Sequence, residues 1–275
     1  MSQAGGYRRM FDLSGRTAVV TGATGLLGRR FCAGLADHGA AVAVVDLDDA
    51  ACAGFARELE ERFGVRCLGV AADITLAAAV GDMAEIVERE LGPIDILHNN
   101  AATKGVSLDR FFDPLETFDI EVWREVMAVN LDAAFLVARE VGGRMARRGR
   151  GSIIQTCSIY GVVGPDQRIY EGSEYLGRPI NTPAIYSASK AGLNGLTRYL
   201  ATYWGAAGVR VNSLTPGGVS SGQNATFDAR YAVRTPLNRM AQADEMVGAL
   251  VFLAGDASSY VTGQNLIVDG GLTAW

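Results

Sequence analysis

The sequence contains few of the residue types that metal sites and histidine-based catalytic sites require. Its 275 residues include only two histidines, His38 and His98, and no group of histidine, cysteine and acidic residues has the spacing of metal ligands. The four cysteines are well separated, and no two of them form a CxxC pair. We therefore expect no metal centre and no histidine-based triad, and we interpret the cysteines as buried thiols of a cytoplasmic protein.

The sequence also lacks a surplus of basic residues and long apolar runs. Its formal net charge is -5, whereas a domain that binds nucleic acid usually carries a basic face. No apolar run approaches the ~18 residues of a membrane-spanning helix. Residues 1–15 lack the apolar core of a secretory signal, and we expect a lead-in that is poorly ordered at its start. The expected partner is therefore a small molecule rather than nucleic acid or a membrane.

Short apolar runs alternate with helical patterns through residues 16–275. The runs begin near residues 17, 41, 67, 94, 151, 209 and 266, and most are followed by a segment of helical periodicity. This alternation predicts an α/β fold of the Rossmann-like, doubly wound type, with a seven-stranded parallel sheet in a single domain. One exception is the segment before Arg234, which reads as a polar, flexible stretch.

A glycine-rich turn follows the first apolar run. Residues 21–28 have the spacing G-x-x-G-x-x-G and lead into a helical pattern. Glycines at such a turn allow the backbone to approach a pyrophosphate, whose charge the helix N-terminus stabilises. Asp46 ends the second run with no arginine directly after it, so its carboxylate suits the two hydroxyls of an adenosine ribose and repels a 2'-phosphate. These features predict NAD(H), although an ordinary turn and a loop-starting aspartate remain the alternatives.

The later part of the chain contains four residues that suit acid–base chemistry. Tyr186 and Lys190 lie four apart in a helical pattern, on the same face and one turn from each other. A phenol with a pKa near ~10 is a poor catalyst at neutral pH, and a neighbouring ammonium lowers that pKa. Ser158 ends the fifth run, where ligands bind in open α/β sheets. Asn130 lies inside a helical pattern over residues 120–148, an unfavourable place unless the side chain is exposed or has a partner.

A long connection separates Ser158 from Tyr186. Loops of this length in compact domains are usually functional or disordered. We predict that residues 161–185 form a substrate-binding insert beside the active site, with a solvated loop or a subunit contact as alternatives. Its polar residues, which suit a hydroxyl-rich or charged substrate, are Asp166, Gln167, Arg168, Glu171, Glu174, Arg178 and Asn181. The tyrosines that suit packing on sugar rings are Tyr160, Tyr170 and Tyr175.

Taken together, these segments resemble the short-chain dehydrogenase/reductase family over nearly the whole chain. The segments that carry the resemblance are the turn at 21–28, Asp73, Asn99-Asn100-Ala101, Asn130, Ser158, Tyr186, Lys190, Pro216-Gly217 and Asp269-Gly270-Gly271. The resemblance implies a nicotinamide cofactor and a homotetramer or homodimer built on two long helices. It also implies that Tyr186 donates and accepts the proton, while Lys190 lowers its pKa and holds the nicotinamide ribose. Ser158 would bind the substrate oxygen, and Asn130 would anchor a water that relays protons.

The cofactor contacts expected from the motifs and the resemblance extend over all the strand ends. They are Gly22, Thr24, Gly25, Leu26, Leu27, Gly28, Asp46, Leu47, Asp73, Ile74, Asn99, Ala101, Tyr186, Lys190, Pro216, Gly217, Val219 and Ser221. The glycine spacing resembles a larger, sugar-nucleotide-modifying branch, but this sequence ends soon after Asp269. The sequence also resembles a subgroup of bacterial oxidoreductases associated with surface-sugar and flagellin modification at three segments, residues 159–166, 234–237 and 271–275.

The resulting hypothesis is a cytoplasmic NAD(H)-dependent oxidoreductase. It would transfer hydride between nicotinamide and a secondary alcohol or ketone of a polar small molecule, a sugar or a sugar-derived acid. Two alternatives remain open, namely a sugar epimerase or dehydratase that retains its NAD, and a non-catalytic dinucleotide-binding scaffold.

Overall fold

The computed structural model describes residues 6–105, 107–175 and 177–275. Residues 1–5 of the expected lead-in, Leu176 of the predicted insert and the side chain of Tyr175 lie outside the described part. The rest of the lead-in folds against the domain, since Tyr7–Phe11 form a 3-10 turn and Leu13 is fully buried.

A seven-stranded parallel sheet forms the centre of the described chain, which confirms the predicted fold class. The strands in chain order are β1 (Thr17–Thr21), β2 (Ala41–Asp46), β3 (Cys67–Ala71), β4 (Ile94–Asn99), β5 (Gly151–Thr156), the hairpin strands β6 (Glu174–Tyr175) and β7 (Arg178–Pro179), β8 (Val209–Pro216) and β9 (Asn265–Val268). The order in the sheet is β3-β2-β1-β4-β5-β8-β9. The direction of the strand order reverses between β1 and β4, so their carboxyl ends open a crevice there.

Helices cover both faces of the sheet because apolar side chains of the strands point to both sides. The helices are α1 (Leu26–Asp37), α2 (Asp49–Phe63), α3 (Ala77–Leu91), α4 (Leu108–Phe111), α5 (Ile120–Met127), α6 (Ala134–Arg148), α7 (Ala184–Trp204), α8 (Ala225–Val233) and α9 (Val247–Ala254). One buried cluster joins α1, α2 and α9 to the sheet, and another joins α3, α6 and α7 to the opposite face. None of the helices in the described ranges is long and apolar enough to cross a membrane.

The helix predicted over residues 120–148 is present, but its centre has an unexpected form. Residues 128–133 form a π-helical segment between α5 and α6, and Asn130 lies within it. A π segment widens the helix by one residue per turn and frequently occurs at functional sites. The interior position of Asn130 therefore coincides with a local change in backbone hydrogen bonding.

The flexible stretch predicted before Arg234 is wrong at its second half, where α8 forms. The Asn224 side chain caps this helix by accepting a hydrogen bond from the Phe227 N–H at 2.9 Å. Phe227 and Tyr231 are buried against Ile169 of the insert. Helix α8 thus owes its stability to a contact with a distant segment rather than to its own composition.

Candidate active site

A cleft of about 1300 Å³ runs along the carboxyl ends of the strands. Nearly all of the side chains predicted for the cofactor and for catalysis contribute to its walls. The predicted residues that line it are Gly22, Thr24, Gly25, Leu26, Leu27, Gly28, Asp46, Leu47, Asp73, Ile74, Ala101, Ser158, Tyr186, Lys190, Pro216, Gly217, Val219 and Ser221. Asn99 and Asn130 lie behind the wall instead.

The glycine-rich turn suits the close approach of a phosphate group. Gly22 has a φ of 62°, and a Cβ there would lie 2.7 Å from the Cα of Ala101, so a larger residue would be both strained and in collision. Gly25 is the N-cap of α1 and offers no side-chain acceptor to the first turn of that helix. The first turn of α1 begins with Leu26, Leu27 and Gly28, which line the cleft, and its uncapped N–H groups can bind a pyrophosphate.

Asp46 ties the end of β2 to this turn. One of its carboxylate oxygens accepts hydrogen bonds from the Thr24 N–H at 3.0 Å and from the Thr24 hydroxyl at 2.6 Å. The other oxygen accepts from the Leu47 N–H at 2.9 Å. Within the described residues no arginine lines the cleft, and Arg29, the nearest one in sequence to the turn, pairs with Glu58 at 2.5 Å. An anionic group thus stands at this end of the cleft without a cationic neighbour.

Three groups meet at the other end of the cofactor region. The Tyr186 hydroxyl interacts with the Ser158 side chain, and Ser158 stands just beyond β5. Lys190 is buried with its Nζ 6.0 Å from the centroid of the Tyr186 ring. This Nζ donates a hydrogen bond of 2.9 Å to the Thr156 carbonyl. The helix α7 therefore presents Tyr186 and Lys190 together at the end of the central strand, with Ser158 opposite.

The pKa of Tyr186 differs from the sequence-based expectation. Desolvation raises it above its usual value, and the hydrogen bond from Ser158 opposes that rise only in part. Burial also lowers the pKa of Lys190, since its ammonium is removed from water. Burial dominates the pKa of Tyr186 in this structure, where the Lys190 ammonium donates to the Thr156 carbonyl, and the lowering of that pKa by Lys190 stays a prediction.

The two asparagines behind the wall have structural partners. Both polar atoms of the Asn130 side chain pair with the backbone of Thr103, the oxygen accepting from its N–H at 2.7 Å and the amide donating to its carbonyl at 3.2 Å. Asn99 turns away from the cleft and donates to the Ala134 carbonyl at 3.0 Å. Strand alternation directs the Asn99 side chain to α6, and the cofactor contact expected of this residue stays a prediction. Asn100, which was not among the predicted contacts, lines the cleft instead.

A buried network connects this asparagine to the catalytic end. Asn100 donates to the carbonyls of Thr21 and Gly22, both at 3.1 Å, and accepts from the Thr156 hydroxyl at 3.4 Å. The Thr156 hydroxyl also contacts Nε2 of His98 at 2.8 Å. Because the hydroxyl proton is directed to Asn100, the imidazole donates at this nitrogen. The sequence offers one signal for this, a rare histidine at an alternating position of β4.

The insert forms the remaining wall of the cleft. It contains two short 3-10 turns and the hairpin of β6 and β7, and it packs on α8. Of its predicted polar residues, only Glu174 and Asn181 line the cleft. The others serve the insert itself or its neighbours, as Arg168 pairs with Asp166 at 2.8 Å and Arg178 contacts Asp113 at 3.7 Å. Tyr160 and Tyr170 do line the cleft, together with Thr182.

Comparison with known proteins agrees with this geometry. The sequence profile of a family described as enoyl-(acyl carrier protein) reductase matches residues 22–273. A gluconate 5-dehydrogenase of Gluconobacter oxydans is 36% identical, over 96% of this chain and 97% of its own. The chain belongs to the short-chain dehydrogenase/reductase family. Members of this family are oxidoreductases that bind a nicotinamide dinucleotide, so the predicted family is confirmed.

Two further members of the family show the range of relatives. A galactitol 2-dehydrogenase (L-tagatose-forming) of Cereibacter sphaeroides is 37% identical, over 98% of this chain and 99% of its own. The crystal structure of a gluconate 5-dehydrogenase from Burkholderia cenocepacia in complex with NADP and tartrate superimposes with a TM-score of 0.84. That structure is 34% identical and covers 97% of this chain and 98% of its own. The similar dehydrogenases thus act on an acidic sugar derivative in one case and a neutral polyol in the other.

Proposed function

We propose that this protein is an NAD(H)-dependent oxidoreductase that interconverts a secondary alcohol and a ketone of a sugar or sugar derivative. The observation that carries the proposal is the meeting of Ser158, Tyr186 and Lys190 in a cleft, between the region that suits a dinucleotide and the region lined by the insert. The bound nicotinamide would supply the site that gives or takes the hydride. The chain's own part is to bind, to orient and to move one proton.

Tyr186 is the group that exchanges the proton with the substrate oxygen. Its hydroxyl lies at the cleft wall beside Ser158, so both can hydrogen-bond the same oxygen. Desolvation keeps the phenol protonated, which suits the reduction of a ketone, where the oxygen needs a proton. Lys190 holds its position through the Thr156 carbonyl and places a positive charge behind the ring. Asn130 acts at a distance by fixing Thr103, a residue of the cleft wall.

The preference for NAD(H) rests on Asp46. A carboxylate can accept both hydroxyls of the adenosine ribose, and it repels the 2'-phosphate of NADP. No arginine among the described residues of the cleft is available to neutralise that phosphate. The glycine turn, the uncapped first turn of α1 and Asp73 complete the residues that would hold the dinucleotide. Since a similar gluconate 5-dehydrogenase is described in complex with NADP, this preference needs a direct test.

We also propose that the chain assembles into a homodimer or homotetramer through the outer faces of α6 and α7. Three aromatic side chains lie exposed there, Phe135, Tyr199 and Tyr203, and the last two stack with their ring centroids 5.8 Å apart. Exposed aromatic clusters of this kind mark association surfaces. Light scattering after gel filtration measures the mass, and a monomer at all concentrations would rule out this assembly.

The direct test of the function is a substrate screen. Purified protein is mixed with NAD and a panel of polyols, sugars and sugar acids, and in the reverse direction with NADH and keto sugars. We expect a change of NADH absorbance with at least one member, and none in the Tyr186→Phe variant. Product formation without any net change in NADH would indicate an epimerase or dehydratase that retains its cofactor. The absence of turnover in both directions would exclude the proposed function, and dinucleotide binding without turnover would indicate a non-catalytic scaffold.

A further inference from the structure

Three hydroxyl groups, here called the hydroxyl chain, lie close together on the insert side of the cleft. The Tyr170 hydroxyl lies 2.5 Å from the Thr182 hydroxyl, and the Tyr160 hydroxyl interacts with that of Tyr170. All three residues line the cleft, as does Tyr186. Gln167 fixes Thr182 from behind, its side-chain amide donating to the Thr182 carbonyl at 2.8 Å and its oxygen accepting from the Thr182 N–H at 3.2 Å. The hydroxyl chain is therefore a positioned feature of the wall.

The hydroxyl chain is suited to bind the hydroxyl groups of a substrate through hydrogen bonds. Each hydroxyl can donate one hydrogen bond and accept others, so the chain can pair with a substrate hydroxyl in either direction. Burial raises the pKa of both Tyr160 and Tyr170 above the usual value, which keeps them as neutral hydroxyls. Neighbouring hydroxyls of a sugar alcohol have the same double capacity. A carboxylate only accepts, and it binds most strongly to cations.

The arginines in the insert and at helix α8 are not among the described residues that line the cleft. Arg168 and Arg234 both pair with Asp166 on the outer side of the insert. Arg230 of α8 pairs with Glu171 at 2.9 Å. None of these arginines lines the cleft, although arginine is the side chain best suited to a carboxylate. The arginines of this region therefore form ion pairs with neighbouring carboxylates and are not part of the cleft wall.

Lysine is also scarce, and its distribution sharpens the contrast. The sequence contains only two lysines, Lys104 and Lys190, and both line the cleft. Lys190 is committed to Thr156 beneath the catalytic tyrosine. Lys104 is exposed, and the same wall carries the acidic side chains of Glu125 and Glu174. Outside the predicted cofactor contacts, the formal charge of the described lining is therefore one positive group against two negative ones.

We propose that the Tyr160–Tyr170–Thr182 chain makes this protein select a neutral polyhydroxy alcohol or ketose over a sugar acid. This inference rests on the proposed function, because it assigns the substrate class of the same site. The proposed selection separates two kinds of substrate that share the same carbon skeleton. This assignment places the selection on Tyr160 and on two residues of the insert rather than on the predicted cofactor contacts.

The test compares matched pairs of substrates, an alditol and the aldonate of equal chain length, with galactitol and gluconate as the first pair. We expect kcat/KM with NAD to favour the alditol by about 10-fold or more in the wild type. Tyr170→Phe should raise KM for the alditol by about 10-fold, because one hydrogen bond is lost, with the Kd for NAD unchanged. Thr182→Val should act in the same direction, and Thr182→Ser should restore the wild-type KM. Tyr260→Phe, a fully exposed tyrosine, is the matched control.

Three results would overturn the inference, and they differ in what they leave standing. A higher kcat/KM for aldonates, abolished by Lys104→Gln, would show that the lone exposed lysine reads a carboxylate. The proposed function would then survive without the neutral-substrate preference. Turnover of neither class, together with normal NAD binding and intact folding by circular dichroism, would remove the proposed function itself and the inference with it. Normal alditol kinetics in both Tyr170→Phe and Thr182→Val would exclude the hydroxyl chain as the selecting element.

Discussion

The two ends of the cleft are built by different means. At the dinucleotide end, side chains such as Asp46 and Asn100 are held by backbone groups at the ends of buried strands. At the substrate end, the insert and α8 hold each other through a small cluster around Ile169 and through ion pairs at the surface. The strands of the sheet fix the geometry of the dinucleotide end. The geometry of the substrate end depends on contacts between the insert and α8. Substitutions at one end should therefore change NAD binding or substrate binding without changing the other.

The largest expected effect lies where the two ends meet. Tyr186→Phe removes the hydroxyl that moves the proton and leaves the ring packing intact, so turnover should fall by about 100-fold or more. The Kd for NAD should stay within about 2-fold of the wild type, because no cofactor contact of the glycine turn changes. Steady-state kinetics and a fluorescence titration measure the two quantities. Near-normal turnover in this variant would show that another group exchanges the proton.

The next effect is confined to the dinucleotide end. We expect the wild type to bind NAD about 100-fold more tightly than NADP, because Asp46 would lose two ribose hydrogen bonds and gain repulsion. Asp46→Ser should reduce this ratio to below about 10-fold. Asp48→Ser is the matched control, since Asp48 only caps α2 through the Ala51 N–H at 2.9 Å. Equal or tighter binding of NADP by the wild type would contradict the role of Asp46.

A fall in pH should lower the free energy of unfolding through buried His98 of the sheet before it breaks the ion pairs of the insert. His98 is fully buried, and burial lowers its pKa from 6.5 to about 3. Below pH 6.5 the unfolded chain therefore binds a proton that the native state refuses, so the stabilisation present above that pH is lost as pH falls towards 3. Between pH 6.5 and about 5 the free energy of unfolding should fall by about 2 kcal/mol more in the wild type than in His98→Gln.

Denaturant unfolding at a series of pH values measures this difference. The ion pairs of Asp166 should persist over the same range, because hydrogen bonds from Arg168 lower the pKa of that carboxyl to about 2. Parallel stability curves for the wild type and His98→Gln would mean that the imidazole accepts a proton in the native state.

The smallest expected effect is at the substrate end. Ile169→Ala removes buried contacts between the insert and α8 without altering a residue of the cleft wall. Loosening of the two segments should raise KM for the substrate by about 10-fold, with the Kd for NAD unchanged. Val233→Ala, at an exposed position of α8, is the control. An equal loss of NAD affinity would show that the two ends are not independent.

The dinucleotide end was the more predictable of the two for a physical reason. Its strands are continuous apolar runs, and the glycine turn, Asp46 and the Tyr186–Lys190 pair are local patterns whose spacing already fixes their geometry. Helix α8 has only a weak pattern of its own, since Phe227 and Tyr231 find their partners in the insert. The charged residues of the insert were expected to meet the substrate, but pairing such as that of Arg230 with Glu171 depends on the tertiary fold.

The asparagines illustrate the same limit at single residues. Asn130 looked unusual within a helix, but its partner is the backbone of Thr103, 27 positions earlier, and the π segment that places it has no sequence signal that we recognise. Asn99 and Asn100 are adjacent and chemically identical, and only the direction of β4 relative to the turn at Gly22 distinguishes them. Strand alternation would have separated the two once the facing helix was known.

The scarcity of lysine has a practical consequence for protein chemistry. Apart from the α-amino group, the chain carries only two primary amines, and the exposed one, Lys104, stands at the mouth of the cleft. Besides the α-amino group, amine-reactive dyes, acetylating agents and lysine-based coupling to a solid support would therefore modify the active site instead of many surface positions. A single fluorophore on Lys104 would report substrate entry, and immobilisation through lysine would block the cleft, so that coupling through another residue type is required.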